Sequence, residues 1–177
     1  MLQIMAHFII ASIKRRELVK QLRNMSYRDQ LTQLGNRFAM VDYVSGVCPD
    51  ESIGVVYCDI TGLKRVNDTQ GHEAGDRLIL RACDSLKQVF GACGLFRIGG
   101  DELLALCPGI TEDALTKKVD ALKRVMPEYE VVMAVGAVWR PDSKAGIDQL
   151  LSEADRRMYD DKAAYYSASR DLDRRNS

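Results

Sequence analysis

Two consecutive glycines followed by two acids, Gly99-Gly100-Asp101-Glu102, lie between the short apolar runs 95–96 and 103–106. Adjacent glycines supply the positive φ angles that a two-residue primed turn requires, and they let another backbone or a phosphate approach closely. The pattern therefore predicts a tight β-hairpin over residues 94–107, with both acids presented at the rim of a sheet. Taken alone, the same pattern also fits an ordinary polar hairpin tip.

A second group of polar residues follows the apolar run 53–58. That run ends at Asp59, and a strand that delivers an acid at its carboxyl end is a common way to build a metal site. Further along, the apolar spacing of residues 74–90 is helical and places Asp76 at the start of a helix. Asp76 either stabilises that first turn or contacts a ligand, and Asn67 either forms a turn or contacts a ligand.

The remaining segments complete an α/β order along the chain. Apolar runs predict strands over residues 53–59 and 131–138, on either side of the hairpin. The internal order β-α-β-β-α-β is that of a ferredoxin-like arrangement. Helices are predicted over residues 3–27, 37–47, 74–90, 112–126 and 147–166.

In this order, the segments resemble the GGDEF family of diguanylate cyclases, whose hairpin motif here reads Gly99-Gly100-Asp101-Glu102-Leu103. The resemblance covers residues 26–166 and rests on an ordered set of motifs. It implies an α/β fold, a ferredoxin-like nucleotidyl-cyclase palm with a central, mostly antiparallel sheet flanked by helices and an N-terminal linker helix. The other matching blocks are an opening signature at 29–37, a strand-end block at 59–76 and a closing helix at 154–162.

The resemblance implies condensation of two GTP molecules into cyclic di-GMP, with release of two pyrophosphates. The 3′-hydroxyl of each nucleotide attacks the α-phosphate of the other, a transfer that depends on positioning and charge neutralisation. Because the product needs two nucleotides that face each other, a homodimer is expected. The implied cofactor is Mg²⁺ or Mn²⁺.

The resemblance also assigns roles to the matching positions. The metal is assigned to Asp59, Asp101 and the carbonyl of Ile60. Asp59, Asp101 and Glu102 are the expected catalytic residues, and Glu102 is expected to help activate the hydroxyl. The expected substrate-binding residues are Lys64 and Lys162 for the triphosphate, the peptide groups of Gly62 and Leu63 for phosphate oxygens, Asn67 and Asp76 for guanine, and Gly99 and Gly100 of the hairpin.

Three places depart from the family pattern. Thr61 stands where the family has the second aspartate of the strand-end motif, and Leu103 replaces the phenylalanine of the hairpin motif. Tyr165-Tyr166 stands where the family usually has Gly-Arg, so one phosphate-binding cation is missing. Two functions therefore stay open: an active diguanylate cyclase, and a degenerate GTP-binding or dimerisation module that regulates a neighbouring domain.

The composition excludes several other classes of protein. The sequence has 25 Lys and Arg against 25 Asp and Glu, so it offers no basic footprint for extended nucleic acid. With two histidines, a zinc site or a Ser-His-Asp triad has little to build on. The five cysteines show no Cys-x-x-Cys spacing and lie mostly in apolar runs, which predicts buried, reduced thiols in a cytoplasmic protein.

The first 25 residues are predicted to form a signalling or coiled-coil helix between an upstream sensor and the catalytic domain 26–166. A helix that packs on its own domain is the alternative. The apolar stretch 1–13 is shorter than the about 20 residues that a spanning helix needs, so no membrane span is expected. The charged tail 167–177 is predicted to fray. The heptad spacing is that of Ile4, Phe8, Ala11, Arg15, Leu18, Leu22 and Met25.

Overall fold

The computed structural model describes Lys14, residues 27–144 and residues 146–175, with side chains up to residue 167. Apart from Lys14 and Tyr27, the predicted helix 3–27 lies outside the described residues, and so do all its heptad positions. No helix of the described part is long and apolar enough to cross a membrane. The elements are α1 (Arg37–Ser45), β1 (Ile53–Ile60), α2 (Leu63–Gln70), α3 (His72–Phe90), β2 (Gly94–Arg97), β3 (Glu102–Pro108), α4 (Glu112–Val125), a 3₁₀ turn (Met126–Tyr129), β4 (Met133–Arg140) and α5 (Ile147–Arg175).

The four strands form one antiparallel sheet in the order β2-β3-β1-β4. This topology confirms the predicted fold class and the predicted order of elements. β1 is paired on both sides, which explains why its sequence is almost continuously apolar. Near its carboxyl end, Asp59 lies opposite Glu102 of β3 and Ala134 of β4. The central strand therefore delivers its acid between two neighbours.

Helices cover both faces of the sheet. Because successive strand residues point to opposite faces, Val56 and Cys58 pack with α3 and α4, whereas Val55 packs with α5 and α1. Leu86 and Leu122 are fully buried on the first face. Each side of the sheet thus has its own apolar core.

Helix α2 was not predicted from the sequence. It is eight residues long, and its two apolar residues, Leu63 and Val66, are only partly buried against the core, so its apolar stripe is too short to recognise from the sequence. Gly62 before it and Gly71 after it have φ values of 82° and 84°, which only glycine adopts readily. Because α3 begins at His72, Asp76 lies in its second turn rather than at its start.

The hairpin prediction is confirmed, but the predicted two-residue turn is wrong. Residues 98–101 form a four-residue loop, closed by the Ile98 N–H, which donates to the Glu102 carbonyl at 3.1 Å. Neither Gly99 nor Gly100 has a positive φ. The Arg97 side chain sets the loop instead, because its Nε and Nη2 atoms donate to the Gly100 carbonyl at 3.2 and 2.7 Å.

Several element ends also differ from the predictions. α1 ends at Ser45, and β4 runs two residues later than predicted because the 3₁₀ turn precedes it. The Val131 N–H donates to the Met126 carbonyl at 3.1 Å and closes that turn. α5 continues to Arg175, so the described part of the predicted frayed tail is helical.

The cysteine prediction is wrong for one pair, because Cys93 and Cys107 form a disulfide. The pairing of Gly94 with Leu106 in the hairpin places these cysteines at the next opposed positions, 4.8 Å apart between Cα atoms. Cys58 and Cys83 are buried and free as expected, and burial raises the pKa of each thiol to about 12. Cys48 is free and exposed.

Reduction of this disulfide is expected to lower the free energy of unfolding by about 3 kcal/mol, because the cross-link restricts a loop of about 15 residues in the unfolded chain. The two cysteines are separated by 14 positions. Urea unfolding with and without dithiothreitol measures the difference, and Cys93→Ser should reproduce the reduced midpoint. Cys48→Ser is the control with an exposed free thiol. An unchanged midpoint after reduction would contradict the prediction.

Candidate active site

A cleft of about 520 Å³ opens at the carboxyl end of β1. Its walls come from the end of β1, α2, the hairpin loop and the second half of α5. These segments are distant in the sequence, and the antiparallel sheet brings them together. Six residues expected at the site line the cleft: Ile60, Gly62, Leu63, Lys64, Asp101 and Lys162.

Asp59 is not among the residues that line this cleft, and it is 7% exposed. Its Oδ1 atom forms an ion pair with Nζ of Lys162 at 2.8 Å. Oδ1 is buried, and the Lys162 ammonium is the charged group that neutralises it. Burial raises the pKa of Asp59, and the charge of Asp101 adds to that rise, while Lys162 opposes it.

Lys162 reaches Asp59 from α5. Partial burial alone would lower the pKa of Lys162, but the contact with Asp59 and the charge of Asp101 outweigh it and raise the pKa. Its amine therefore stays an ammonium at neutral pH. α5 packs directly on β4, where Gly136 has no side chain to hold the helix away.

The loop that presents Asp101 is held by two sets of contacts. The Asp101 carbonyl accepts from the Ile60 N–H at 2.9 Å, which fixes the loop against the end of β1. Arg97, which holds the Gly100 carbonyl, also donates through Nη1 to both carboxylate oxygens of Asp29 at 3.1 and 3.2 Å. These positions are fixed by a backbone bond and by Arg97, and no hydrogen bond or ion pair among the described residues uses the Asp101 side chain.

Asp29 is itself held by Thr32, whose backbone N–H and hydroxyl donate to Oδ1 at 2.8 and 2.7 Å. Burial alone would raise the pKa of Asp29, but these bonds and Arg97 outweigh it and lower the pKa. Sequence reasoning matched Asp29 and Thr32 to a family block and gave Arg97 no role. The position of Arg97, two residues before the glycine pair, was the available signal.

The start of α2 forms the opposite wall of the cleft. Gly62 precedes the helix without a side-chain cap, so the first N–H groups of α2 have no capping partner there. Such groups favour an anion. Lys64 and Arg65 follow in the same turn and line the cleft.

The comparisons with known proteins agree with this geometry. The family model described as "Diguanylate cyclase, GGDEF domain" matches residues 26–167. The chain belongs to the GGDEF family. Its Leu103 is fully buried, so this variant of the motif's fifth residue serves the core of the GGDEF domain.

Two curated relatives are named for cyclic di-GMP metabolism. The cyclic di-GMP phosphodiesterase PdeR of Escherichia coli is 29% identical over 161 residues, which cover 81% of this chain and 24% of PdeR. The bifunctional diguanylate cyclase/cyclic di-GMP phosphodiesterase MucR of Pseudomonas aeruginosa is 27% identical over 154 residues, which cover 79% of this chain and 22% of MucR. The chain therefore spans about a quarter of the length of these relatives.

The fold is that of a solved GGDEF structure. The coiled coil and GGDEF domain of DgcB from Caulobacter crescentus, solved in complex with c-di-GMP, superposes with a TM-score of 0.81 at 22% identity. The match covers 92% of this chain and 95% of that chain. The architecture is thus a GGDEF palm.

Two expected guanine contacts lie outside the cleft of this GGDEF domain. The Asn67 carboxamide packs against Gly75, where a Cβ would overlap Asn67 Oδ1. Asp76 follows Gly75 directly and is exposed. The structure therefore brings Asn67 beside the residue that precedes Asp76, at the contact of α2 with α3.

Glu102 does not line the cleft either. It lines a separate cavity of about 200 Å³, together with Tyr57 and Asp155, while Asp101 lines the cleft. Burial raises the pKa of the Tyr57 hydroxyl, and the nearby charges of Glu102 and Asp155 add to the rise. Gly99 belongs to this side, because a Cβ there would overlap the Glu102 carboxylate.

The substituted positions lie on both sides of the β1 end. The Thr61 hydroxyl is buried without a hydrogen-bond partner and lines a third cavity of about 340 Å³ with Tyr165. Tyr166 lines the cleft next to Lys162. Asp161 of α5 lines the same cavity as Thr61.

The residues present fit a divalent cation that has oxygen ligands. Asp59 Oδ1 is a buried carboxylate oxygen paired with Lys162, and the charge of Asp101 acts on the Asp59 carboxyl group. Within the described ranges, no group of three or more His, Cys, Asp or Glu side chains converges. Two carboxylates suit Mg²⁺, which binds through few protein ligands and takes others from phosphates and water.

Proposed function

We propose that this GGDEF domain is a diguanylate cyclase, which condenses two GTP molecules into cyclic di-GMP and two pyrophosphates with Mg²⁺ or Mn²⁺. One observation carries the proposal: a single cleft combines Asp101 with Lys64, Lys162 and the start of α2, and Lys162 also pairs with Asp59. This set has the charges needed to hold a metal-bound triphosphate. GTP is a cytoplasmic nucleotide, so we place the reaction in the cytoplasm.

Each residue of the site has a proposed role that follows from its position. Asp59 and Asp101, with the Ile60 carbonyl, would hold the metal, which neutralises charge on the triphosphate. Lys64 and the peptide N–H groups of Gly62 and Leu63 would bind phosphate oxygens. Asn67 and Asp76 are proposed to read guanine, and Lys162 to complete the phosphate contacts. Gly99 and Gly100 are proposed to let the substrate approach the hairpin closely.

Glu102 is proposed to help activate the attacking 3′-hydroxyl. Since its carboxylate lies beside Tyr57 in the separate cavity, this role requires the side chain to turn toward Asp101. The hydroxyl would come from the GTP of a second copy, and the pyrophosphate would leave from the cleft. We propose that residues 1–25, outside the described part, hold two copies together and connect them to an upstream sensor domain.

The dimer mechanism predicts that activity depends on protein concentration. When dimerisation is weak, a tenfold dilution is expected to lower specific activity by up to about tenfold, because the dimer fraction follows mass action. A variant that lacks residues 1–25 should lose more activity at dilute protein and recover it at high concentration, since it has lost the tether. Constant specific activity in both chains would contradict the dimer mechanism.

A second candidate function is a GTP-binding or dimerisation module with little turnover. Thr61 and Tyr166 favour it, because neither supplies the charge that the family usually places at its position. The relative PdeR is named as a phosphodiesterase, and the matching region is 24% of its length. The rest of PdeR has room for another domain that carries out the phosphodiesterase reaction. In a longer form of this protein, this domain would in the same way regulate a neighbouring domain.

Product analysis separates the two candidates. The purified chain is incubated with GTP and MgCl₂, and nucleotides are identified by liquid chromatography and mass spectrometry. Cyclic di-GMP supports the cyclase. Binding of GTP without product supports the GTP-binding module. If GTP does not bind, the cyclase and the GTP-binding module are both contradicted, and a dimerisation module is supported instead.

A further inference from the structure

We infer that Arg65 binds the triphosphate and is a specificity-determining residue of this cleft, selecting nucleoside triphosphates over monophosphates. The inference rests on the proposed function, because it concerns the same nucleotide. Arg65 follows Lys64 in the first turn of α2 and lines the cleft with Asp101 and Lys162.

The charges of the cleft show which cations are free for a phosphate. The Lys162 ammonium lies 2.8 Å from Asp59 Oδ1, so much of its charge is already neutralised. Lys64 and Arg65 side chains make no ion pair within the part of the chain that the structure describes. Two uncommitted cations therefore lie side by side at the start of α2.

The helix directs Arg65 into the cleft. Arg65, Asp68 and Thr69 lie on one face of α2 at the spacing i, i+3 and i+4, and all three line the cleft. Asn67 is on the other side of the helix, against Gly75. The turn is fixed by the Thr69 hydroxyl, which donates to the Arg65 carbonyl at 2.7 Å.

The chemistry of the side chain fits a phosphate group. A guanidinium presents parallel N–H donors that contact two phosphate oxygens at once, whereas an ammonium acts as a point charge. At the start of α2, the same phosphate would also meet backbone N–H groups. Arg65 would thus add a directional contact that Lys64 does not supply.

A different role for Arg65 would be to neutralise Asp68, the acid on its own helix face. In that case, Arg65 would weaken repulsion between Asp68 and the nucleotide without touching it. The Asp68→Asn background tests this role, because it removes the acid. A triphosphate contact predicts that the loss in Arg65→Ala persists in that background.

The test measures dissociation constants of GTP and GMP by calorimetry in MgCl₂, with CaCl₂ as a repeat that slows turnover. Arg65→Ala is expected to raise the constant for GTP by on the order of tenfold, the usual loss of a charge-assisted contact, and to leave GMP nearly unchanged. Arg65→Lys should recover part of the affinity. Arg124→Ala, an exposed arginine on α4 outside the cleft, is the matched control. Circular dichroism checks that each variant is folded.

The outcomes separate the inference from the proposed function. If the unmodified chain binds GTP and Arg65→Ala binds it equally well, the inference is overturned and the proposed function stands. An equal loss for GTP and GMP, or a loss that disappears in Asp68→Asn, also overturns it. If the unmodified chain does not bind GTP, the proposed function itself fails. Weaker GTP binding by Arg65→Ala in a chain that forms no cyclic di-GMP supports the inference and contradicts the cyclase.

Discussion

Asp101→Asn and Asp59→Asn are each expected to lower cyclic di-GMP formation at least about a hundredfold, because each removes one carboxylate from the set proposed to hold the metal. Loss of one preorganised electrostatic contact costs about 3 kcal/mol or more of transition-state stabilisation, which corresponds to that factor. The Asp101 backbone, not its side chain, bonds to Ile60, so the loop should keep its position. In Asp59→Asn, the isosteric amide also leaves Lys162 without its ion pair.

Initial rates of product formation, measured over a series of MgCl₂ and MnCl₂ concentrations, check this expectation. Asp113→Asn is the control, because that acid is exposed on α4 and pairs only with Lys117 on the same helix. Thermal unfolding should place Asp101→Asn within about 0.5 kcal/mol of the unmodified chain, as is usual for surface changes. Full activity of either variant would contradict the metal assignment.

Gly136→Ala is expected to destabilise the fold by about 1–3 kcal/mol, the usual cost of overpacking a buried site. A Cβ at Gly136 would overlap the carbonyl oxygen of Ala154 and the backbone nitrogen of Met158. These are helix backbone atoms, so no side chain can rotate away, and α5 must shift from β4. Because α5 carries Lys162, the same change should weaken the ion pair with Asp59 and lower activity.

Urea unfolding measures the loss, and Gly46→Ala is the matched control. A Cβ at Gly46 would meet only the Tyr43 carbonyl oxygen at 3.5 Å, an ordinary contact. Gly46→Ala should therefore leave the midpoint almost unchanged. Equal midpoints for the two variants would show that α5 has room to move.

Short-range patterns were enough to predict the strands, whereas the antiparallel sheet was implied by the resemblance to the family. The continuous apolar run of β1 and the glycine pair of the hairpin placed three of the four strands. The turn was mispredicted because Arg97 sets its shape through Asp29, which lies 68 residues away in the sequence. No local pattern contains that contact.

Other differences followed from rules that the sequence did contain. Asp101 ends the hairpin loop and Glu102 begins β3, and neighbouring residues of an extended chain point to opposite sides, which is why the two side chains line different cavities here. Cys93 and Cys107 lie symmetrically about the hairpin, and a correct register predicts that they oppose each other. The contact between Lys162 and Asp59 depends on how α5 crosses the sheet, which is visible only in the tertiary structure.

The Asp59–Lys162 ion pair also affects the domain when no ligand is bound. Asp59 is nearly buried beside a second acid, a situation that would otherwise favour either its protonation or an opening of the site. The ammonium on α5 serves as an internal counter-ion, so the fold keeps its own charge balance when nothing is bound. A cation that binds Asp59 Oδ1 therefore takes the place of the Lys162 ammonium at that oxygen, so its binding is an exchange of positive charges.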